Sequence, residues 1–259
     1  MPLTGAVGTA IAKPLRILIL GGTGDAAALA MQLSTLSGIT VITSLAGRTQ
    51  HPSTLAGEVR VGGFGGSNGL VTYLQEQRID VLIDATHPFA AKMSWNAATA
   101  AIALDMPHLM LMRPAWEKVA GDRWLEVESV EAAAKAVPAH LKRLFLTIGR
   151  QQLAPFATLT EYWFLMRSID PPDPSVALPN GKLLLDRGPF TLENEIALLK
   201  QYQIDAIVSK NSGGDATYAK IVAARKLALP IFMVQRPAMP EGDRVADVSS
   251  AVEWLKRLS

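Results

Sequence analysis

The sequence predicts an α/β protein with two Rossmann-like domains, mostly parallel in their sheets and related by a degenerate internal repeat. Short apolar strands alternate with helical segments along most of the 259 residues, the pattern of a doubly wound sheet with right-handed crossovers. The stretches IDVLIDATHPFAA from Ile79 and IDAIVSKNSGGDA from Ile204 follow one plan: a strand, a polar loop and an alanine-rich helix. Each is followed, after another apolar run, by Arg-Pro, at Arg113-Pro114 and Arg236-Pro237. A glycine-rich turn directly after the first strand completes the case.

The run Leu15 to Leu20 is continuously apolar, as in a strand buried on both faces of a parallel sheet. It enters Gly21-Gly22-Thr23-Gly24-Asp25 and a helix from about Ala26 to Leu36. A strand from Thr40 to Ser44 ends at Leu45-Ala46-Gly47-Arg48. Strand Val59 to Val61 precedes the loop Gly62-Gly63-Phe64-Gly65-Gly66 and a helix through Gln75. Strand Val81 to Ala85, the loop Thr86-His87-Pro88, a helix to about Leu104 and strand His108 to Met112 end the first half. The boundary is expected near Pro114.

The second half reads as strand Trp124 to Val127, helix Val130 to Val137, strand Leu144 to Ile148 and an extended stretch from Tyr162 to Arg167. Pro171, Pro172, Pro174 and Pro179 exclude regular structure until Leu183 to Leu185. Helix Leu192 to Gln201, strand Ala206 to Ser209, helix Ala216 to Leu227 and strand Ile231 to Val234 repeat the opening unit. An amphipathic helix from Ser250 to Leu258 closes the chain. The expected division is thus a loose leader over residues 1–14, a nucleotide-binding domain over 15–114, and a substrate-binding domain over 115–259 that includes the last helix.

Composition narrows the function. Without cysteine there is no disulfide, thiolate nucleophile or cysteine-ligated metal site, and no metal site is expected. A net charge of +2 without basic runs argues against general nucleic-acid binding. No apolar run approaches the roughly 20 residues of a bilayer span, and the uncharged start before Lys13 does not resemble a secretory signal, so a cytoplasmic protein is expected.

Gly22-Thr23-Gly24-Asp25-Ala26-Ala27 fits G-x-G-x-x-A between strand and helix, as a dinucleotide fold requires. Gly22 permits the turn, Gly24 admits a pyrophosphate, and the helix amino end faces the anion. An acid at the end of the second strand would hold ribose hydroxyls and repel a 2′-phosphate. None lies between Ile39 and Gln50, whereas Arg48 follows a glycine there, which favours NADPH over NADH. Gly63 and Gly65 could close over the cofactor, or their loop could simply be a turn.

Arg48, Arg113, Arg150, Arg187, Lys210 and Arg236 all fall near strand ends, a distribution suited to a substrate with several carboxylates or phosphates. Lys210, Asn211, Ser212, Gly213 and Gly214 precede a helix amino end and could hold an anion, or could be a glycine turn with a solvated lysine. Asp84 could do chemistry or cap the next helix, and His87 before Pro88 could be only a turn residue.

The series GGTGDAAALA, SLAGRT, VRVGGFGG, DATHPFAA, GRQQLAPF and VSKNSGGDATYAKIVAARKLALPIFMVQRP resembles the precorrin-6A reductase family, from Leu15 to Pro237. The resemblance implies NADPH-dependent reduction of one ring double bond of precorrin-6A to precorrin-6B in corrin (cobalamin) biosynthesis, with the active site between two Rossmann-like domains. Hydride would come from the nicotinamide, and the adjacent carbon would take a proton. Gly22, Thr23, Gly24, Asp25, Arg48, Gly63 and Gly65 are then assigned to NADPH; Lys210, Asn211, Ser212, Gly213, Gly214 and Arg150 are assigned to substrate. Thr86, His87, Lys210 or a water held by Asp84 would supply the proton. Handover contacts with neighbouring pathway enzymes are expected, and a reductase acting on cobalt-precorrin-6A is an alternative. A short-chain dehydrogenase would need Tyr-x-x-x-Lys, yet Gln77, Met166, Ala206 and Val222 stand four residues after the tyrosines. A non-catalytic, two-lobed NADP(H) sensor is the remaining alternative.

Overall fold

The computed structural model describes residues 14–47 and 55–258, which leaves Arg48 and the expected leader, up to residue 13, outside the described residues. The chain divides into two compact units, one of residues 14–47, 55–112 and 240–258, the other of residues 113–239. Each carries a six-stranded sheet whose ladders all run parallel.

In the first unit the elements are β1 (Leu15–Leu20), α1 (Gly24–Leu33), β2 (Ile39–Leu45), β3 (Glu58–Val61), α2 (Ser67–Glu76), β4 (Val81–Asp84), α3 (Ala91–Ala103) and β5 (His108–Leu111). Strand β1 is apolar throughout because both its faces are covered. Ile17 and Ile19 pack towards Leu29 and Leu33 of α1, while Leu18 and Leu20 pack towards Leu70 and Leu74 of α2 and Ala97 and Ala100 of α3. Alanines on α3 let that helix lie close to the sheet, since a small side chain sets a short interaxial distance.

The second unit contains β6 (Arg123–Val127), α4 (Val130–Ala136), β7 (Arg143–Thr147), a 3-10 turn (Arg150–Gln152), α5 (Ala154–Ala157), β8 (Trp163–Ser168), β9 (Gly181–Leu185), α6 (Leu192–Gln201), β10 (Ala206–Lys210), α7 (Ala219–Lys226) and β11 (Pro230–Val234). Phe145, Leu165, Ile207 and Met233 of the sheet pack with Leu199 of α6 and Ile221 of α7 on one face. Helix α4 packs on β6 and β11.

Two further elements, β12 (Asp243–Val245) and α8 (Val248–Lys256), complete the first unit and not the second. The sheet orders are β12-β5-β4-β1-β2-β3 and β6-β11-β10-β7-β8-β9. Strand β6, which by chain order would follow β5 in a 3-2-1-4-5-6 sheet, instead pairs with β11, and β12 takes the vacant edge beside β5. The expectation that the last helix belongs to the second domain is therefore corrected. Ala251, Val252 and Leu255 of α8 are buried in the core beneath α1, and this apolar stripe fixes where the helix docks.

Candidate functional site

The glycine turn begins with an amide of Gly21 donating to the Ser44 carbonyl at 2.9 Å, which seats the turn beside β2. Thr23 is the N-cap of α1. Its Oγ1 accepts from the Ala26 amide at 3.1 Å and donates to the Ala85 carbonyl at 2.8 Å, tying the turn to the loop after β4. Gly22, at φ +106°, occupies backbone space that favours glycine, and Gly24 opens the helix. A Cβ on either would meet nothing within 4 Å, so space remains over the turn where a pyrophosphate could approach the first helical amides. The arrangement fits a dinucleotide. Sequence reasoning missed Gly21, where a Cβ would lie 2.9 Å from Thr43 Cγ2, and Ala26 is the buried helix residue beside it.

One strand further out, Arg60 of β3 stands in register with Ser44 at the end of β2. Its Nη1 donates to Ser44 Oγ at 3.0 Å and to the Gly62 carbonyl at 2.7 Å, and its Nη2 donates to the Gly63 carbonyl at 3.0 Å. The guanidinium lies 3.9 Å from the Phe64 ring centroid. Arg60 thus shapes the loop carrying Gly63 and Gly65, around both of which space is open. The sequence hid this role, because an arginine on a short edge strand reads as a surface charge.

At the end of β4, Asp84 is buried and its Oδ1 accepts from the Thr86 amide at 3.0 Å and the Thr86 hydroxyl at 2.6 Å. His87 Nδ1 accepts from the Phe89 amide at 3.2 Å, so in a neutral ring the proton resides on Nε2. Asp84, Thr86 and His87 are therefore gathered in one loop, joined to the glycine turn through Ala85 and Thr23.

The corresponding loop of the second unit follows β10. Asn211 is buried, with its Oδ1 accepting from the Trp116 amide at 2.8 Å and its Nδ2 donating to the Trp116 carbonyl at 3.0 Å. Trp116 Nε1 donates to the Gly214 carbonyl at 2.9 Å. Arg236 donates to the carbonyls of Asn211, Arg113 and Ser212, and Arg113 Nε to that of Ser212. These arginines thus brace the loop. A Cβ at Gly213 would fall 1.9 Å from the Pro114 carbonyl oxygen, and one at Gly214 2.6 Å from Arg113 Cδ, so both glycines serve close packing. Helix α7 starts at Ala219, after turns at Asp215 to Tyr218, so the loop does not open directly onto its amino end as the sequence reading has it. Lys210 is half-buried at the strand end.

Arg150 lies in the 3-10 turn and donates to the Pro171 carbonyl. Arg187 lines a cavity of about 400 Å³ with Asp186, Phe190 and Asn194. Two more of its lining residues belong to a buried charge cluster missed from the sequence: Arg167 Nη2 bonds Glu195 Oε1 at 2.7 Å, and Lys220, whose charge acts with theirs, has its Nζ 4.6 Å from the centre of the Trp116 ring. Desolvation drives the Lys220 pKa down to about 7, with Glu195 opposing that shift and Arg167 adding to it. Among the described residues no His, Asp and Glu cluster could hold a metal, and no helix is long and apolar enough to cross a membrane.

Comparison with known proteins matches these features. A family model described as precorrin-6x reductase CbiJ/CobK covers residues 16–256. A precorrin-6A reductase of Rhodococcus erythropolis is 46% identical, over 94% of this chain and 98% of its own. One of Mycobacterium tuberculosis is 42% identical over the same shares. A cobalt-precorrin-6A reductase of Priestia megaterium is 30% identical, over 92% of this chain and 97% of its own. A solved CobK precorrin-6A reductase superposes with a TM-score of 0.88 at 40% identity, covering 94% of this chain and 96% of its own. With its paired parallel sheets, glycine turn and braced strand-end loop, the chain belongs to the precorrin-6x reductase family.

Proposed function

We propose that this reductase converts precorrin-6A to precorrin-6B with NADPH as hydride donor. Family membership makes the chain a reductase of cobalamin biosynthesis, and the match across residues 16–256 is the observation that carries the substrate. The metal-free ring is favoured over the cobalt-loaded one. Relatives named for precorrin-6A share 41 to 46% identity with this chain, whereas those named for the cobalt form share 25 to 30%. The open space at Gly22 and Gly24 supports a dinucleotide on the first unit, with Thr23 and Asp25 at the helix start and open space also at Gly63 and Gly65; Arg48, outside the described residues, is assigned to the nucleotide from the sequence alone. The cysteine-free composition suits a reducing cytoplasm.

The nicotinamide, when bound, supplies hydride to one carbon of the ring double bond. The chain's own contribution is alignment and charge. Lys210 and Arg150, with the braced loop from Asn211 to Gly214, offer positive charge and fixed dipoles to the substrate's carboxylates. Because Asn211's amide is committed to Trp116, that residue acts by shaping the loop. The Thr86 hydroxyl donates to Asp84, so Thr86 passes a proton only in concert with that carboxylate, whereas a neutral His87 ring would carry its proton on Nε2. Lys210 or a water held by Asp84 are the other sources, and no single acid is indispensable in this reading.

Mixing enzyme, NADPH and precorrin-6A should consume the nucleotide's near-ultraviolet absorbance. A sensor would bind NADPH and leave the absorbance unchanged. In stopped-flow runs Thr86→Ala, His87→Ala and Lys210→Ala should each keep measurable hydride transfer, slowed by up to about a hundredfold. Complete loss in one variant that still binds substrate would overturn the shared-donor reading.

A further inference from the structure

We propose that Arg60 is a specificity-determining residue that reads the 2′-phosphate of the nucleotide, an inference that rests on NADPH binding to the first unit. In a doubly wound sheet with its pyrophosphate at the first βα turn, the adenosine ribose lies at the carboxyl end of the second strand. Ser44 stands near that end of β2 and is coupled to the glycine turn through its carbonyl, which accepts from Gly21 at 2.9 Å. Its hydroxyl accepts from Arg60 Nη1 at 3.0 Å. Arg60 therefore sits on the strand next to β2, two strands from the one that feeds the glycine turn, beside the expected 2′ position.

The group is also held for the task. Three hydrogen bonds and the Phe64 ring at 3.9 Å fix the guanidinium plane. All three acceptors are neutral oxygens, so these contacts orient the positive charge without cancelling it. A guanidinium has five N–H donors, and the bonds to Ser44, Gly62 and Gly63 use three. The residue is half-exposed and its Nη2 side faces the surface, where a phosphate could be gripped in the bidentate manner that arginine favours. A purely bracing arginine would need the same bonds to Gly62 and Gly63 but would not discriminate between nucleotides.

The test titrates NADPH and NADH, and 2′,5′-ADP and 5′-AMP as competitors, into the wild-type chain and its Arg60→Met and Arg60→Gln variants. Removing a charge-assisted contact should cut NADPH and 2′,5′-ADP affinity by about tenfold to a hundredfold. NADH and 5′-AMP should change by less than about threefold, so the preference itself collapses. Arg60→Gln, whose amide can still donate to the Gly62 carbonyl, should show the same collapse if Arg60→Met does not fold. Equal losses for both nucleotides would mean a brace only and overturn the proposal, as would an unchanged preference. A preference abolished by Arg48→Met but untouched at position 60 would assign the phosphate to Arg48 and also overturn it. No NADPH binding by the wild type would sink the cofactor reading itself, a result distinct from all of these.

Discussion

Glycines in the two strand-end loops are required for opposite reasons, and single alanine substitutions separate them. At Gly213, with φ +69°, a Cβ would lie 1.9 Å from a backbone oxygen of Pro114. Neither partner can swing away as a long side chain could. Gly213→Ala should therefore cost about 2 kcal/mol or more in urea unfolding, from left-handed strain and overpacking together. At Gly24 a Cβ meets nothing within 4 Å, so Gly24→Ala should leave stability within about 0.5 kcal/mol. In the proposed NADPH complex the same methyl would stand where the pyrophosphate approaches, and NADPH affinity should fall by about tenfold or more in a fluorescence titration. Equal stability losses in both variants would refute the distinction. The sequence showed both positions as glycine in a polar loop, but whether a glycine faces a ligand or a neighbouring backbone depends on Pro114 and Arg113, which lie about a hundred residues away.

Helices α6 and α7 enclose charge where their spacing suggests only apolar contact. Lys220 is 5% exposed on α7, and its Nζ donates to the Thr217 carbonyl at 2.9 Å; Glu195 of α6 and Arg167 of β8 are the charges that act on it. Its folded pKa of about 7 lies below the value of about 10.4 in an unfolded chain. Between those values the unfolded chain holds a proton that the folded one has released, so this group makes stability rise as pH climbs from about 7 towards 10. Below about 7 the folded state carries the full cost of a buried ammonium. Lys220→Met keeps the length and removes the titration. Its stability advantage over the wild type should be largest near pH 6 to 7 and shrink steadily by pH 9.5 in urea unfolding; parallel pH curves for the two proteins would exclude the effect. Strands β1, β4, β10 and β11 were legible because burial on both faces demands continuous apolar runs. Lys220 was not, since a lysine inside AKIVAARK reads as a solvated face until Trp116 and Glu195 are seen around it.

At the scale of the whole molecule, the first unit is closed by the chain's last residues. The repeat of strand, loop and helix was visible in sequence, and its copies occupy equivalent places, β4 beside β1 in one sheet and β10 beside β7 in the other. The exchange of the sixth strand was not visible. Strand β12 is only Asp-Arg-Val with two exposed residues, so nothing local marks it as a strand, and its identity comes entirely from pairing with β5. Likewise the apolar stripe of α8 specifies that the helix must dock but not on which sheet. Its Ala251, Val252 and Leu255 are at most 5% exposed. Burying a valine or leucine side chain contributes about 1.5–3 kcal/mol, so losing this face together with the β12 ladder takes away a large share of a domain's typical 5–15 kcal/mol. A chain ending at Met239 should therefore lose the cooperative unfolding of the first unit and the NADPH binding proposed for it, while the second unit, with Trp116 and Trp124 in its core, keeps a separate fluorescence transition. Residues 14–114 alone should fail in the same way, although by chain order they look like a whole domain. Adding residues 240–258 to that fragment through a linker should restore a cooperative transition, because β5 would regain its partner and α1 its cover. If the fragment without them unfolds as sharply, and at the same urea midpoint, as the linked form, the terminal segment is an ornament on the first unit and not part of its core.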